Sequence, residues 1–185
     1  MSRSALAAIV LAACGAAPSA PVSNRGEPPE KPAPAPMLGE RGLRGHEDGS
    51  LPTKSSLEAL LPGAIAHVNE VTTVELAGVP QPRLLDKGNW EGIAMVIEER
   101  GARVTVFAPQ VTMPHGLFVG MTLADAQRLQ PKLECEVWDP RIGGGPHVTP
   151  PPYLGKTCSL ASSPSFSFHI HDERIDYITF FREPR

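Results

Sequence analysis

From residue 53 onward the chain alternates short apolar segments with breaks marked by Gly and Pro. Ser55-Ser56-Leu57-Glu58 has the spacing of a capping box, Ser55 to Glu58, and opens a short helix over SLEALL that Pro62-Gly63 ends. IAHVNEVTTVELAG then reads as one or two strands, because Val71, Thr73 and Glu75 alternate with Thr72, Val74 and Leu76. VPQPRLLDKGNWEG is a punctuated connection. Beyond it, IAMVIEE (93–99) and RVTVFA (103–108) are joined by Arg100-Gly101-Ala102, which predicts a hairpin.

The second half repeats this outline. Thr122 is placed to cap a helix with Asp125 three residues on; Leu123, Ala126 and Leu129–Gln130 form its inward stripe, and Pro131 ends it. LECEVW (133–138) reads as a strand, DPRIGGGPHVTPPPYLG as a long loop, and KTCSLA as a short strand before a closing hairpin. The pattern predicts an α+β fold, short helices packed on antiparallel sheet, with more strand than helix. The two helix-plus-hairpin halves read either as a tandem duplication or as the chance alternation common in small α+β domains.

The closing stretch, SFSFHIHDERIDYITFF, carries the most chemistry. In a strand Phe166, Phe168 and Ile170 share one face, and Ser167, His169 and His171 the other. Asp172-Glu173-Arg174 is the turn. Ile175 and Ile178 break strict alternation, which places a bulge near Asp176-Tyr177, and of the adjacent Phe180 and Phe181 one faces away from the core unless a bulge intervenes. Two imidazoles on one strand supply two ligands, whereas zinc takes three or four from protein; Asp172, His147 and His115 are the candidates for a third. The alternation favours a solvated polar face, and no metal ligands are assigned.

The N-terminus decides location. Arg3 precedes an apolar run from Ala5 to Ala13 that stops at Cys14, the layout of a secretory signal peptide too short to span a bilayer of ~20 helical residues. Leu11-Ala12-Ala13-Cys14 resembles the lipobox of bacterial lipoproteins. The resemblance implies a signal peptide over 1–13 and a diacylglyceryl, and then palmitate-type, anchor on Cys14. Gly15, rather than Asp, after the cysteine implies the outer membrane, by analogy with enteric bacteria. Residues 14–52 then form a lipidated, Pro- and Gly-rich tether, since AAPSAPVSNRGEPPEKPAPAP offers almost no large apolar side chain and MLGERGLRGHEDGSLP shows no period. Residues 53–185 are expected to be one folded domain.

Composition narrows the function classes. The formal net charge is −3, and −4 without residues 1–13, so the chain lacks the basic footprint of a nucleic-acid binder. With Cys14 lipidated, Cys135 and Cys158 remain, and in an oxidising envelope they are expected to form one disulfide between LECEVW and KTCSLA, contributing roughly 3 kcal/mol by loop-closure entropy. There is no Cys-x-x-Cys, no Gly-x-Ser-x-Gly elbow and no His-Glu-x-x-His, and Gly143-Gly144-Gly145 lacks the Lys-Ser/Thr of a phosphate loop. No cofactor is expected, and the chain reads as non-enzymatic. Trp90, between Asn89 and Glu91, is either an exposed interface anchor or a plug in the core.

Two further resemblances bear on the folded part. Gly120-Met121-Thr122 opening a helix is similar to the start of the small outer-membrane lipoproteins that assist β-barrel assembly, whose helix-plus-sheet architecture is shared by the tandemly repeated β-lactamase inhibitor proteins. Their Gly-x-Pro after the helix is missing. Leu61-Pro62-Gly63, the pair Cys135 and Cys158, the segment from Gly116 to Gly120 and the closing Ile175-x-x-Ile178 resemble envelope-stress-regulated (sigma-E) outer-membrane lipoproteins of unknown activity. The expectation is a lipid-anchored periplasmic binding or assembly module with a protein partner. The alternatives are an inhibitor or sensor that inserts loop 139–156 into its partner, and a metal-binding or hydrolytic lipoprotein using the histidines.

Overall fold

In a computed structural model, which describes residues 36–85, 88–98, 101–138 and 155–182, the helices are minor and the sheet dominates. The signal peptide, Cys14, residues 16–35, His147 and the loop 139–154 lie outside the described residues. A two-stranded ribbon, β1 (Leu38–Gly39) and β2 (Gly42–Leu43), leads to helix α1 (Lys54–Leu60). Strands β3 (Ile65–His67), β4 (Thr72–Glu75), β5 (Ile93–Glu98) and β6 (Arg103–Val106) follow. Then come α2 (Leu123–Leu129), β7 (Leu133–Trp138), β8 (Gly155–Leu160), β9 (Ser163–His171) and β10 (Arg174–Phe181).

Strands β3 to β10 make one antiparallel sheet of eight, in the order β3-β4-β5-β6-β10-β9-β8-β7. The expected α+β class is therefore corrected to mostly β. Each helix is only seven residues, two turns, because Pro62-Gly63 and Pro131 stop them early, so the sheet supplies most of the core. Each half is a short helix followed by a four-stranded meander, not a helix and a hairpin. The meanders meet where β6 pairs with β10, Val106 opposite Ile178 and Val104 opposite Phe180.

The registers sort the faces. Directly paired residues share a face, and one row crosses the whole sheet: Ala66, Val74, Met95, Val106, Ile178, Phe168, Cys158 and Cys135. All of these are buried except half-buried Cys135, and Leu57 and Leu61 beside α1 and Leu123 and Ala126 of α2 join the same core. The next row on the opposite face reads His67, Thr73, Val96, Thr105, Thr179, Ser167, Ser159 and Glu134, polar but for Val96. Its outer members His67, Ser159 and Glu134 are exposed.

Local expectations are met or displaced for identifiable reasons. The capping box of α1 is Thr53 with Ser56, not Ser55 with Glu58: the Thr53 hydroxyl accepts from the Ser56 N–H at 3.2 Å, and the Thr53 N–H donates to the Ser56 hydroxyl. Glu58 instead accepts from the Ala66 N–H, tying α1 to β3. Thr122 caps α2 as expected, but Leu129 is 51% exposed, leaving Leu123 and Ala126 as the buried stripe.

The tether ends earlier than residue 53. Leu38 and Leu43 are core residues, and Met37 and Leu38 donate backbone hydrogen bonds to the Thr112 carbonyl. Periodicity misses this segment because its apolar residues are separated by Gly42 and a loop that closes around a remote side chain, Arg182, whose guanidinium donates to the carbonyls of Arg41 at 2.5 Å and His46 at 3.1 Å.

Candidate binding cleft on the outer sheet face

The site is built by the β9–β10 hairpin and the connection between β4 and β5. In β9, Phe166, Phe168 and Ile170 face the core with 1–2% exposure. The turn that follows has left-handed φ at both central residues, 46° at Asp172 and 57° at Glu173, the twist a two-residue hairpin loop requires. Its tip is held by the start of α2 and the residues before it: the Leu123 N–H donates to the Glu173 carbonyl at 2.8 Å, the Ile175 N–H donates to the Met121 carbonyl at 2.9 Å, and the Ile175 carbonyl accepts from the Gly120 N–H at 2.7 Å. The expected bulge is present, with the register shifting between Ile175 and Tyr177. It lets Ile175 and Ile178 both reach the core and turns Asp176 toward the 76–92 connection.

Asp176 fastens that connection over the sheet. Its carboxylate accepts from the Arg83 N–H at 3.0 Å and the Leu84 N–H at 2.8 Å, and the Arg83 guanidinium reaches Asp172 at 2.5 Å. Leu84 then lies so close to Gly155 that a Cβ there would come within 3.1 Å of it. Four rings line up across the face, Trp90 from the connection and three from the sheet segments it meets. Trp90 and Phe107 have centroids 5.5 Å apart, Phe107 and Tyr177 5.9 Å, and Tyr177 and His169 stack at 4.1 Å and 14°. Trp90 is thus a half-buried cover on Phe107, between the two outcomes the sequence left open.

His169 and His171 do not form a wet face. His171 is 8% exposed, with its Nδ1 3.4 Å from Asp172, and His169 is half-buried between Tyr177 and the cross-strand Thr157. Burial lowers the His169 pKa to about 4, against a smaller upward pull from Asp176, and raises that of Tyr177 to about 12, with Asp176 pushing the same way. Both rings are therefore uncharged at neutral pH. The strand pattern missed this because the cover is supplied by residues 80–85, remote in sequence and without a period.

At the end of the ring row a cleft of about 280 Å³ opens between Leu84 and Leu85 on one side and Gly155, Lys156 and Thr157 on the other, with His169 and Tyr177 lining it. A second cleft, about 240 Å³, lies on the other side of the Asp176 anchor and is lined by Gln81, Arg83, His171, Asp172 and Arg174 among others.

The remaining histidines are engaged elsewhere. The Nε2 of His115 lies 2.6 Å from the Ser163 hydroxyl and 3.5 Å from Glu40. The Ser163 hydroxyl hydrogen goes to Glu40, so the imidazole N–H donates to the serine oxygen, the reverse of a base activating a nucleophile. Ser163 is fully buried, and the cluster ties β1–β2, the 114–116 turn and β9 together. Among the described residues no three His, Cys, Asp or Glu side chains are grouped to hold a metal ion, and neither His115 nor Asp172 completes a site with His169 and His171. Cys135 and Cys158 are directly opposite on β7 and β8 and form the expected disulfide. Phe180 is buried and Phe181 is 42% exposed under the Arg103 guanidinium. No described helix is long and apolar enough to cross a membrane.

No known family model matches the chain, and no curated protein matches it. A solved structure that is similar, the crystal structure of the uncharacterized protein yfeY from Escherichia coli, is 15% identical, with a TM-score of 0.40 over 79% of this chain and 99% of that one. A likeness of that degree transfers no residue role and no activity.

Proposed function

We propose that the chain is a lipid-anchored envelope protein that acts by binding a polypeptide partner through the outer face of its sheet, without catalysis. The anchor reading rests on Leu11-Ala12-Ala13-Cys14 closing an apolar run, and the Pro-rich segment after it provides reach. The observation that carries the binding reading is the row Trp90, Phe107, Tyr177 and His169, which leads into an open cleft on the face whose margins are exposed. Phe107 is buried, but Trp90, Tyr177 and His169 are half-buried, and aromatic rings at the edge of solvent provide large contact area at little entropic cost.

The test is site-specific photocrosslinking in cells. A photoreactive residue at Ser167 or Thr157 on the outer face is expected to trap one discrete polypeptide, and the same residue at Leu129 on α2 is expected to trap none. Equal trapping from Leu129, or none from the outer face, rejects the reading. The anchor is tested separately by Cys14→Ser, which is expected to move the protein from the membrane to the soluble fraction.

A further inference from the structure

The ring row stops abruptly at His169. Tyr177 covers one face of the imidazole at 4.1 Å, and His169 lines the cleft together with Thr157, the residue paired with it on β8. Three successive positions in this cross-sheet row carry rings, Phe107 on the segment leaving β6, Tyr177 on β10 and His169 on β9, while Ala94 of β5 lies beside Phe107 at the far end. On the other side of His169 the row passes to Thr157, a small side chain, and beyond it Glu136 is exposed.

We propose that the cleft beside His169 is a receptor for one uncharged aromatic side chain of a polypeptide partner, which takes the next place in the stack. Its volume, about 280 Å³, suits a single side chain and falls just short of the usual small-molecule pocket of roughly 300–1,000 Å³. Leu84 and Leu85 give the inserted ring an apolar wall, and the imidazole gives it a flat face. The cation on the rim, Lys156, is paired with Glu173 at 2.5 Å, and burial keeps His169 and Tyr177 uncharged at physiological pH, which matches an uncharged ring. Rigidity favours the site: the Leu84 wall is pinned by the two backbone bonds to Asp176, so little ordering accompanies binding.

This inference rests on the partner-binding reading, and the test separates the two. The intact chain, isotope-labelled at histidine, is titrated with the blocked tripeptide Ala-Tyr-Ala, its Leu counterpart and free p-cresol. The Tyr peptide is expected to shift the His169 ring-proton resonances upfield and saturably, binding about fivefold more tightly than the Leu peptide, the margin of one added ring contact. Thr157→Phe places a ring in the cleft from within and is expected to abolish the shift while the fold is retained by thermal denaturation. His169→Ala, read through the amide of Thr157, is expected to weaken binding without closing the cleft. Equal response to the Tyr and Leu peptides, or an undiminished response in folded Thr157→Phe, overturns the proposal. If p-cresol binds as tightly as the Tyr peptide, the polypeptide source is wrong. A partner trapped in cells equally well by Thr157→Phe keeps the partner reading and rejects this cleft.

Discussion

The carboxylate of Asp176, at the bulge of β10, accepts the backbone N–H of Leu84 at 2.8 Å across 92 residues of sequence. A second bond from the Arg83 N–H makes this one side chain a fastening point of a connection whose described residues form no helix or strand. Asp176→Ala is expected to destabilise the protein by about 2–3 kcal/mol, since two charge-assisted bonds are lost together. The loss should be local before it is global. Hydrogen exchange is expected to accelerate at Arg83 and Leu84 but not at β9, and unchanged protection at Leu84 contradicts the assignment.

His169 makes stability depend on pH. Its pKa falls from 6.5 to about 4 on folding because burial disfavours the charged ring. Between those values the unfolded chain binds a proton that the folded chain does not, so the contribution is intact above pH 6.5 and is lost as pH drops toward 4. The limit is on the order of 3 kcal/mol. Denaturant melts of the parent and of His169→Phe, which keeps a ring against Tyr177, are expected to diverge over this window, with the flatter profile in the variant.

The Cys135–Cys158 bridge closes a loop of 23 residues between an edge strand and its neighbour. Replacing both cysteines with serine is expected to cost about 3 kcal/mol, mostly by freeing the unfolded chain. Reductant should lower the denaturation midpoint of the parent and leave that of the double variant unmoved.

Gly42 and Gly45 separate crowding from backbone strain. Both have left-handed φ, 113° and 82°, but a Cβ on Gly42 would collide with the Arg182 guanidinium, whereas one on Gly45 meets nothing within 4 Å. Gly45→Ala is expected to cost about 1 kcal/mol for its backbone alone, and Gly42→Ala more. In an Arg182→Ala background the two costs should converge, which a double-mutant cycle on thermal stability measures.

Glu173 adopts a left-handed φ of 57° with no glycine in the turn. Glu173→Gly relieves roughly 1 kcal/mol of backbone strain and removes an exposed ion pair with Lys156 that contributes little. The variant is expected to match or exceed the parent in melting temperature, and a drop of several degrees rejects this account.

Much of the framework was legible along the chain. Phe166, Phe168 and Ile170 alternate as a strand with one packed face, Thr122 stops and starts the chain as a cap, and the broken spacing of Ile175 and Ile178 marks the bulge. These are local rules: backbone geometry and side-chain periodicity act over a few residues, so sequence determines them. The class was misjudged because the extent of two short helices says nothing about eight strands joining into one sheet.

What only the tertiary structure decided is where remote segments meet. Asp176 finds Leu84, Arg182 threads the Gly42–Gly49 loop, and residues 80–85 turn the histidine face from wet to half-buried. Those contacts arise from single hydrogen bonds and close approaches at long sequence separation. They have no period and no fixed spacing, so no local pattern announces them, and the one between Asp176 and Leu84 holds the wall of the cleft.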